Sequence, residues 1–384
     1  MRSNIVLNGI KNELYPVNKL LSSFTIVFIF LLTSGCTPEQ KQSTSEKKPD
    51  TNSTQTTIDP DSLYSIIMVG DMMLGTNYPS AASLPPDDGR DILSGAADIL
   101  QSADVTIGNL EGTLLNSGGT PKVCQNPENC VAFRSPEHYA GYIKAAGFDM
   151  MNLANNHAGD MGDIGRKSTQ STLKKYGIEY AGQLTAPTAI FVKDGIKFGL
   201  TGFAPNTGTL SINDHTKAAE IVRALKKQCD IVIVAFHGGA EGSGATHVTR
   251  KREFYLGEDR GNCYLFAHDM IDAGADIVFG HGPHVPRGVE LYKGKFIAYS
   301  LGNFCTYGKF GLSGNLGLAP ILKLYITKSG DLSHGRIYPY KQIKRGFPVF
   351  DDDYGAVKLM KNMTETDFPE TGIQISPDGK ITKK

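Results

Sequence analysis

The sequence predicts an α/β domain built on mixed sheets. Short β-branched or apolar runs recur along the chain, each ends in a turn rich in Gly, Asp, Asn or His, and most precede a stretch with helical start and stop signals. Residues 65–69 lead into Gly70-Asp71, residues 105–107 into Gly108-Asn109-Leu110-Glu111, and residues 148–153 into Asn155-Asn156-His157. Residues 231–236 lead into His237, and residues 277–279 into Gly280-His281-Gly282-Pro283-His284. Helices are expected between these runs. Ser135 is placed to cap one, with Pro136 at its first position and Gly147 at its end. Residues 164–176 form a second that stops at Gly177, and residues 217–228 and 264–273 form two more, the last closed by Gly274. Residues 189–203, turning at Asp194-Gly195, and 320–340, turning at Ser329-Gly330-Asp331, read as hairpins, which makes the sheet mixed.

Composition bounds the function. With 384 residues, 40% of them hydrophobic and 20% charged, the chain is long enough for one large core and too apolar to be disordered in bulk. Thirty-nine basic residues balance 39 acidic ones, so no positive field exists for general nucleic-acid binding, and no nucleic-acid partner is expected. Forty-three glycines and no tryptophan indicate many tight turns, as where loops between strands and helices carry chemistry.

Residues 24–32 (FTIVFIFLL) form an apolar run preceded by Arg2, Lys11 and Lys19 and followed by Thr33-Ser34-Gly35-Cys36. A run of nine residues is too short for a bilayer that needs about 20, so residues 1–35 read as a signal peptide. Small residues before a cysteine resemble a bacterial lipobox, with Thr33 where the pattern usually has Leu; lipidated Cys36 then begins the mature protein. Residues 36–62 are Ser/Thr/Lys/Gln/Pro-rich, with Ile58 as the one large apolar residue, and read as a flexible tether. The expected arrangement is a folded domain over residues 63–384, lipid-anchored at the cell envelope outside the cytoplasm. An oxidising compartment permits a disulfide between Cys124 and Cys130, whose spacing does not match a zinc knuckle; Cys229 and Cys263 read as core residues.

Ligands of open α/β sheets gather outside the carboxyl ends of strands. Each polar cluster has a bland reading as a turn, but together they supply Asp71, Asn109, Glu111, Asn156, His157, His237, His281 and His284 at five strand ends. A shared metal or phosphate site explains the set better. Oxygen and imidazole donors without thiolate suit Mn, Fe or Zn. Asp160 and Asp163 are read as helix caps, and the run Asp351-Asp352-Asp353 as an exposed acidic turn.

The ordered set Gly70-Asp71, Gly108-Asn109-Leu110-Glu111, Asn155-Asn156-His157, Phe236-His237-Gly238-Gly239, Gly280-His281-Gly282-Pro283-His284-Val285 and Ser300-Leu301-Gly302-Asn303-Phe304 resembles the capsule-synthesis family of CapA and PgsA. That family is implicated in making or exporting poly-γ-glutamate and is distantly similar to calcineurin-like metallophosphoesterases. The resemblance implies a metallophosphatase-like layered α/β sandwich with mixed sheets. It places Asp71, Glu111, Asn156, His237, His281 and His284 in metal-ligand positions, and His157 where a phosphate-contacting histidine protonates a leaving group. Two departures stand out: the first motif reads Asp71-Met72-Met73 where those enzymes have Asp-x-His, and Glu111, with Asn109 beside it, stands where they have a bridging Asp. These departures count against a two-metal site of the usual charge and leave one metal or none. Asn109, Glu241 and Arg287 are assigned toward substrate, with solvated loop residues as the alternative for Glu241 and Arg287.

Three functions fit these residues. The chain is an accessory factor of an anionic surface polymer such as poly-γ-glutamate, working with capsule-synthesis machinery; or a metal-dependent hydrolase of phosphoesters or of the polymer's amide bonds; or a non-catalytic scaffold. The missing first-motif imidazole favours the first and third, and His157 beside Asn156 favours the second. A local patch of Lys226, Lys227, Arg250, Lys251 and Arg252 is available for an anionic polymer.

Overall fold

The computed structural model describes residues 63–124 and 130–384. The expected signal peptide, the tether and Cys36 lie outside those residues. The first strand, β1 (Tyr64–Met73), alternates its side chains between two cores: Ile66 and Met68 face one cluster, Ile67 and Val69 another. It pairs in parallel with β2 (Val105–Leu110), which continues to β3 (Met150–Asn152) and β4 (Glu179–Ala181). After β4 the chain turns back through an antiparallel hairpin, β5 (Thr188–Lys193) and β6 (Ile196–Phe203), into a second sheet. That sheet adds β7 (Ile231–His237), β8 (Ile277–His281), β9 (Val289–Tyr292) and β10 (Lys295–Ala298), in the order β9-β10-β8-β7-β6-β5.

The chain then returns to the first sheet. β11 (Asn303–Thr306) pairs in parallel with the end of β1, β12 (Ile321–Ile326) pairs antiparallel with its beginning, and β13 (Leu332–Tyr338) follows in a hairpin. With β14 (Ile373–Ile375) and β15 (Lys380–Lys383) at the far edge, the order is β14-β15-β13-β12-β1-β2-β3-β4. Both sheets mix parallel and antiparallel pairs, as the two hairpin signals require.

The layers follow from period-2 burial. Ile66, Ile107, Phe198, Leu200, Ile231, Ile233, Ile277 and Leu324 fill the space between the sheets. On the outer face of the first sheet, Tyr139 and Ile143 of α1 (Tyr139–Ala145) and Leu173 of α2 (Gly162–Lys175) cover Ile67, Val69 and Met151. On the outer face of the second, α3 (His215–Lys226) and α4 (Cys263–Asp272) cover Val232, Val234, Phe236 and Val278. The result is a helix–sheet–sheet–helix sandwich, the layered α/β architecture with mixed sheets that the motifs implied. Among the described residues no helix is long and apolar enough to cross a membrane.

Three local expectations need correction. Ser135 does not cap α1: the helix begins at Tyr139, and the Ser135 hydroxyl donates to the Gly75 carbonyl, pinning the loop after β1. Asp160 does not cap α2 either, because its carboxylate is drawn into the site described below, while Asp163 sits in the helix's first turn without a side-chain cap bond. Asp351 is buried, not exposed: its carboxylate accepts from the Gly355 and Asp353 amides at the start of α5 (Gly355–Asp367) and pairs with Lys341.

Candidate metal centre

Strand register brings the motif residues together. Asp71 lies opposite Asn109 on β2 and opposite Asn303 on β11, Asn109 lies opposite Asn152 on β3, and in the second sheet His281 lies opposite His237. Except for Asn303, which opens β11, these residues lie at or near the carboxyl ends of parallel strands, where the loops leave the sheet together. Gly70 makes the approach possible: a Cβ at that position would collide with the Gly302 carbonyl oxygen, which accepts from the Asp71 amide at 2.9 Å.

Asp71, Glu111 and His284 bring one ligand atom each within 4.8 Å of one another. His281 Nδ1 lies 3.3 Å from Asp71 Oδ1, and His284 Nδ1 lies 2.9 Å from Asp71 Oδ2 and 3.0 Å from Asn303 Oδ1. With Nδ1 tied in this way, His284 turns Nε2 toward Glu111 Oε1 and Glu241 Oε2, each 3.8 Å away. His284 has φ of 61°, a left-handed conformation that costs a non-glycine residue about 1–3 kcal/mol and is retained where function fixes it.

Buried polar groups without partners locate the centre independently. Among the described residues, both ring nitrogens of His237, Nε2 of His281, both carboxylate oxygens of Glu111 and Oδ1 of Asn156 make no hydrogen bond. Glu111, His237 and His281 are all completely buried. Each such atom costs about 1–3 kcal/mol, so this many on neighbouring strand ends require a partner that the protein chain itself does not supply. Neutral imidazoles, carboxylates and an amide oxygen are the donor set of a divalent cation. The residues present fit such an ion.

The charges agree with that reading. Burial alone would raise the Asp71 carboxyl, but hydrogen bonds and charge from His281 and His284 hold it well below the usual carboxylate range. Burial, reinforced by the Asp71 charge, pushes Glu111 well above that range. Burial opposes protonation of His284, yet Glu111 and Asp71 outweigh it and push its imidazole up to about 10. Burial, with the nearby Arg260 charge, holds His237 well below the ordinary imidazole value. Without a metal, the cluster therefore keeps a proton on His284 at neutral pH.

His157 stands at the rim, its Nε2 4.0 Å from Glu111 Oε1. Its Nδ1 lies 2.7 Å from Asp160 Oδ2 and 3.2 Å from Lys122 Nζ; the shorter contact, to a carboxylate that can only accept, favours the ring proton on Nδ1 and a lone pair on Nε2 toward the centre. Asp160 is fully buried; it also accepts the Phe133 amide at 2.6 Å and pairs with Lys122 Nζ at 2.7 Å. The ring stacks on Phe133 at 4.1 Å and is only 8% exposed, so His157 packs as well as faces the site. Burial lowers its basicity despite Asp160. Lys122, Phe133, Glu241, Arg260, Lys309 and Phe310 line a cavity of about 590 Å³ above these groups.

Two substrate assignments are corrected by packing. Asn109 is completely buried: its Nδ2 donates to Asp71 Oδ1 at 2.8 Å, and its Oδ1 accepts from Asn152 and Asn155, so it orients a ligand carboxylate and cannot reach a substrate. Arg287, 1% exposed, is spent on a two-pronged pair with Glu253 at 3.0 and 2.8 Å and on the Ala245 carbonyl at 2.7 Å. Glu241, in contrast, reaches the cavity. In the basic patch, Lys226 pairs with Asp276, Arg250 with Glu370 and Arg252 with Asp259, which neutralises much of it. Cys124 and Cys130 are joined by a disulfide, Cys124 lining the cavity, while Cys229 and Cys263 are buried. Sequence reasoning missed Asp160, Asn303, Arg260 and Lys122. Only Asn303 lay in a quoted motif, and the spacing of Asp160 three residues after His157 was its one available signal.

Comparison with known proteins agrees with the motif order. The chain is 28% identical over 256 residues to the capsule biosynthesis protein CapA of Bacillus anthracis, covering 62% of this chain and 58% of that protein. It is 27% identical over 260 residues to the PGA biosynthesis protein CapA of Bacillus subtilis (strain 168), covering 64% and 63%. The matches thus span less than two thirds of those relatives' own lengths. Among solved structures, a hypothetical protein from Thermus thermophilus aligns with a TM-score of 0.45 at 16% identity, over 73% of this chain and all of that one. The NAD nucleotidase of Haemophilus influenzae aligns with a TM-score of 0.41 at 14% identity, over 79% of this chain and 56% of that one. Residues 65–307, most of the described chain and every motif of the centre, match the bacterial capsule synthesis protein family PGA_cap, and the chain belongs to that family.

Proposed function

We propose that this protein is an envelope-anchored accessory factor in the synthesis or export of an anionic capsular polymer of the poly-γ-glutamate kind, and that its metal centre hydrolyses a phosphoester or an amide bond of that polymer. Family membership and the names of the Bacillus relatives support the polymer assignment. The observation that carries the hydrolytic reading is the set of buried, unpartnered donors beneath an open cavity, with a histidine–aspartate pair at its rim. A pure scaffold has no use for either.

A divalent ion of the Mn, Fe or Zn type, when bound, polarises a phosphoryl or carbonyl oxygen and lowers the pKa of a water. Asp71, Glu111, His284 and, from the second sheet, His237 and His281 would hold it, with Asn156 adding an amide oxygen. Asn109 fixes the Asp71 carboxylate and Asn303 fixes His284. His157, with Nδ1–H held by Asp160, takes up a proton at Nε2 from the attacking water and delivers it to the leaving group. Lys122 and Lys309 supply positive charge at the cavity wall for an anionic substrate, and Phe133 and Phe310 exclude water beside it. Cys36 would carry the lipid that keeps this site at the membrane surface.

The test is metal analysis of the purified full chain, followed by assays on an aryl phosphodiester and on γ-glutamyl chains with and without chelator. Chelator-sensitive cleavage of either substrate supports the reading. A protein that restores polymer production in a deletion strain equally well with His157→Gln and with the wild-type residue is a non-catalytic factor.

A further inference from the structure

Glu241 lies on the loop that follows β7, and that loop is fixed at nearly every residue. The Gly238 amide donates to the His281 carbonyl at 2.9 Å, Gly239 to the Arg260 carbonyl at 2.9 Å, Ala240 to Glu253 Oε2 at 2.9 Å and Gly242 to the Pro283 carbonyl at 3.2 Å. Glycines at 239 and 242 allow the turn, with φ of 83° and 107°. The buried Arg287–Glu253 pair braces the same loop through the Ala240 and Ala245 carbonyls. So much fixing around one side chain that is itself 13% exposed marks Glu241 as placed, not incidental.

Its two oxygens are in different environments. Oε1 is held at 2.9 Å by Arg260 Nη2, from a guanidinium only 2% exposed whose Nη1 is engaged by Glu258 at 2.9 Å. Oε2 turns the other way, 3.8 Å from His284 Nε2, the same separation that Glu111 Oε1 has from that nitrogen on the other side. His284 Nε2 therefore faces two carboxylates. One of them, Glu111, is wholly buried with both oxygens unpartnered.

We propose that Glu241 is a further ligand of the metal centre, on its cavity side. This rests on the reading of the cluster as a metal centre. Where related hydrolases are expected to bring a second first-motif imidazole, Met73 offers only a thioether, a poor donor for a hard divalent ion. Glu241 restores the donor count with an oxygen. With Glu241, the oxygen donors Asp71, Glu111, Asn156 and Glu241 outnumber the imidazoles of His237, His281 and His284, which shifts the preference toward Mn(II) or Fe(II) and away from Zn(II). Arg260, by engaging Oε1, offsets the added negative charge and leaves Oε2 as the ligating atom.

The experiment measures Mn(II) binding to the demetallated full-length protein by electron paramagnetic resonance of free Mn(II) and by competition with a chelating dye. Glu241→Gln keeps the side-chain length and an oxygen that can face Arg260 while weakening the donor. We expect it to loosen Mn(II) at least about tenfold, to reduce the preference for Mn(II) over Zn(II), and to leave the melting temperature of the metal-free protein unchanged. If wild type and Glu241→Gln bind Mn(II) equally, Glu241 is not a ligand although the metal centre stands. If the wild type binds no divalent ion, the metal reading itself falls and the proposal with it. Should Gln at this position fail to fold, Glu241→Asp, which keeps the charge opposite Arg260 but withdraws the oxygen, is expected to weaken Mn(II) binding measurably, and wild-type affinity in that variant overturns the proposal.

Discussion

Replacing Asp160 by Asn tests the arrangement at the rim of the centre most directly. Asp160 Oδ2 accepts from His157 Nδ1 at 2.7 Å and from the Phe133 amide at 2.6 Å, while Oδ1 pairs with Lys122 at 2.7 Å. All three partners are donors, so an amide in either orientation points its NH₂ group at one of them. A hydrogen bond to a charged group contributes about 1.5–3 kcal/mol when buried, and the Lys122 pair counts for less because Lys122 is 25% exposed. The expected destabilisation is about 2–4 kcal/mol, read as a lower denaturant midpoint at unchanged slope. The second consequence is chemical. With the carboxylate gone, the Nδ1–H tautomer of His157 is no longer enforced, and any hydrolysis that uses Nε2 as base should fall about 100-fold. Nitrogen-15 NMR of the imidazole reports the tautomer without requiring activity: wild type should show a protonated Nδ1, the variant a mixture. An Asp160→Asn protein with wild-type midpoint and an unchanged Nδ1–H signal would contradict this account of the rim. The stacking and burial of His157 also give it a structural cost: His157→Ala should lose about 2 kcal/mol where a solvent-facing ligand contact would lose almost none.

His281→Ala combined with His284→Ala should lower divalent-metal affinity at least about 100-fold, and stoichiometric metal surviving in the double variant would sink the ligand assignment. Metal binding should release a proton at pH 7, because His284, raised to about 10, is protonated in the metal-free site and must lose that proton to ligate; calorimetry in buffers of different ionisation enthalpy measures the number, and a value of zero contradicts the geometry. The metal-free protein should lose stability in acid through His237, whose folded pKa is depressed: the contribution is present above about 6.5 and is lost as pH falls through the lower folded value, so His237→Gln should flatten that limb. Arg287→Met should cost about 3–5 kcal/mol by leaving Glu253 buried and unpaired, whereas a substrate-binding arginine would cost binding with little stability. Cys36→Ala should abolish lipid attachment in the membrane fraction, and wild-type protein recovered with residues 1–35 intact and a free Cys36 thiol would overturn the anchor.

The α/β class with mixed sheets and the strand ends that carry the centre were legible in the bare chain, while the layered arrangement came from the family resemblance. The first two come from local signals: short continuous apolar runs such as residues 65–69 and 231–236, Gly-rich stops, and Asp, Asn or His after each run. The polar cluster itself was legible for the same reason, since parallel strands deliver their carboxyl ends to one edge, and the meeting of Asp71, Glu111 and His284 there follows from it. What each polar residue does with its second atom, in contrast, depends on segments far away in the chain. Asn109 looks like a substrate contact until register sets it between Asp71 and Asn152; Asp160 looks like a helix cap until the loop before α2 swings its carboxylate under His157. Arg287 looks solvated until Glu253, 34 residues earlier, meets it in the core. Hydrogen-bond partners separated by tens of residues leave no periodic trace in a chain, because the distance between them is set by the packing of two sheets and not by the spacing of either strand.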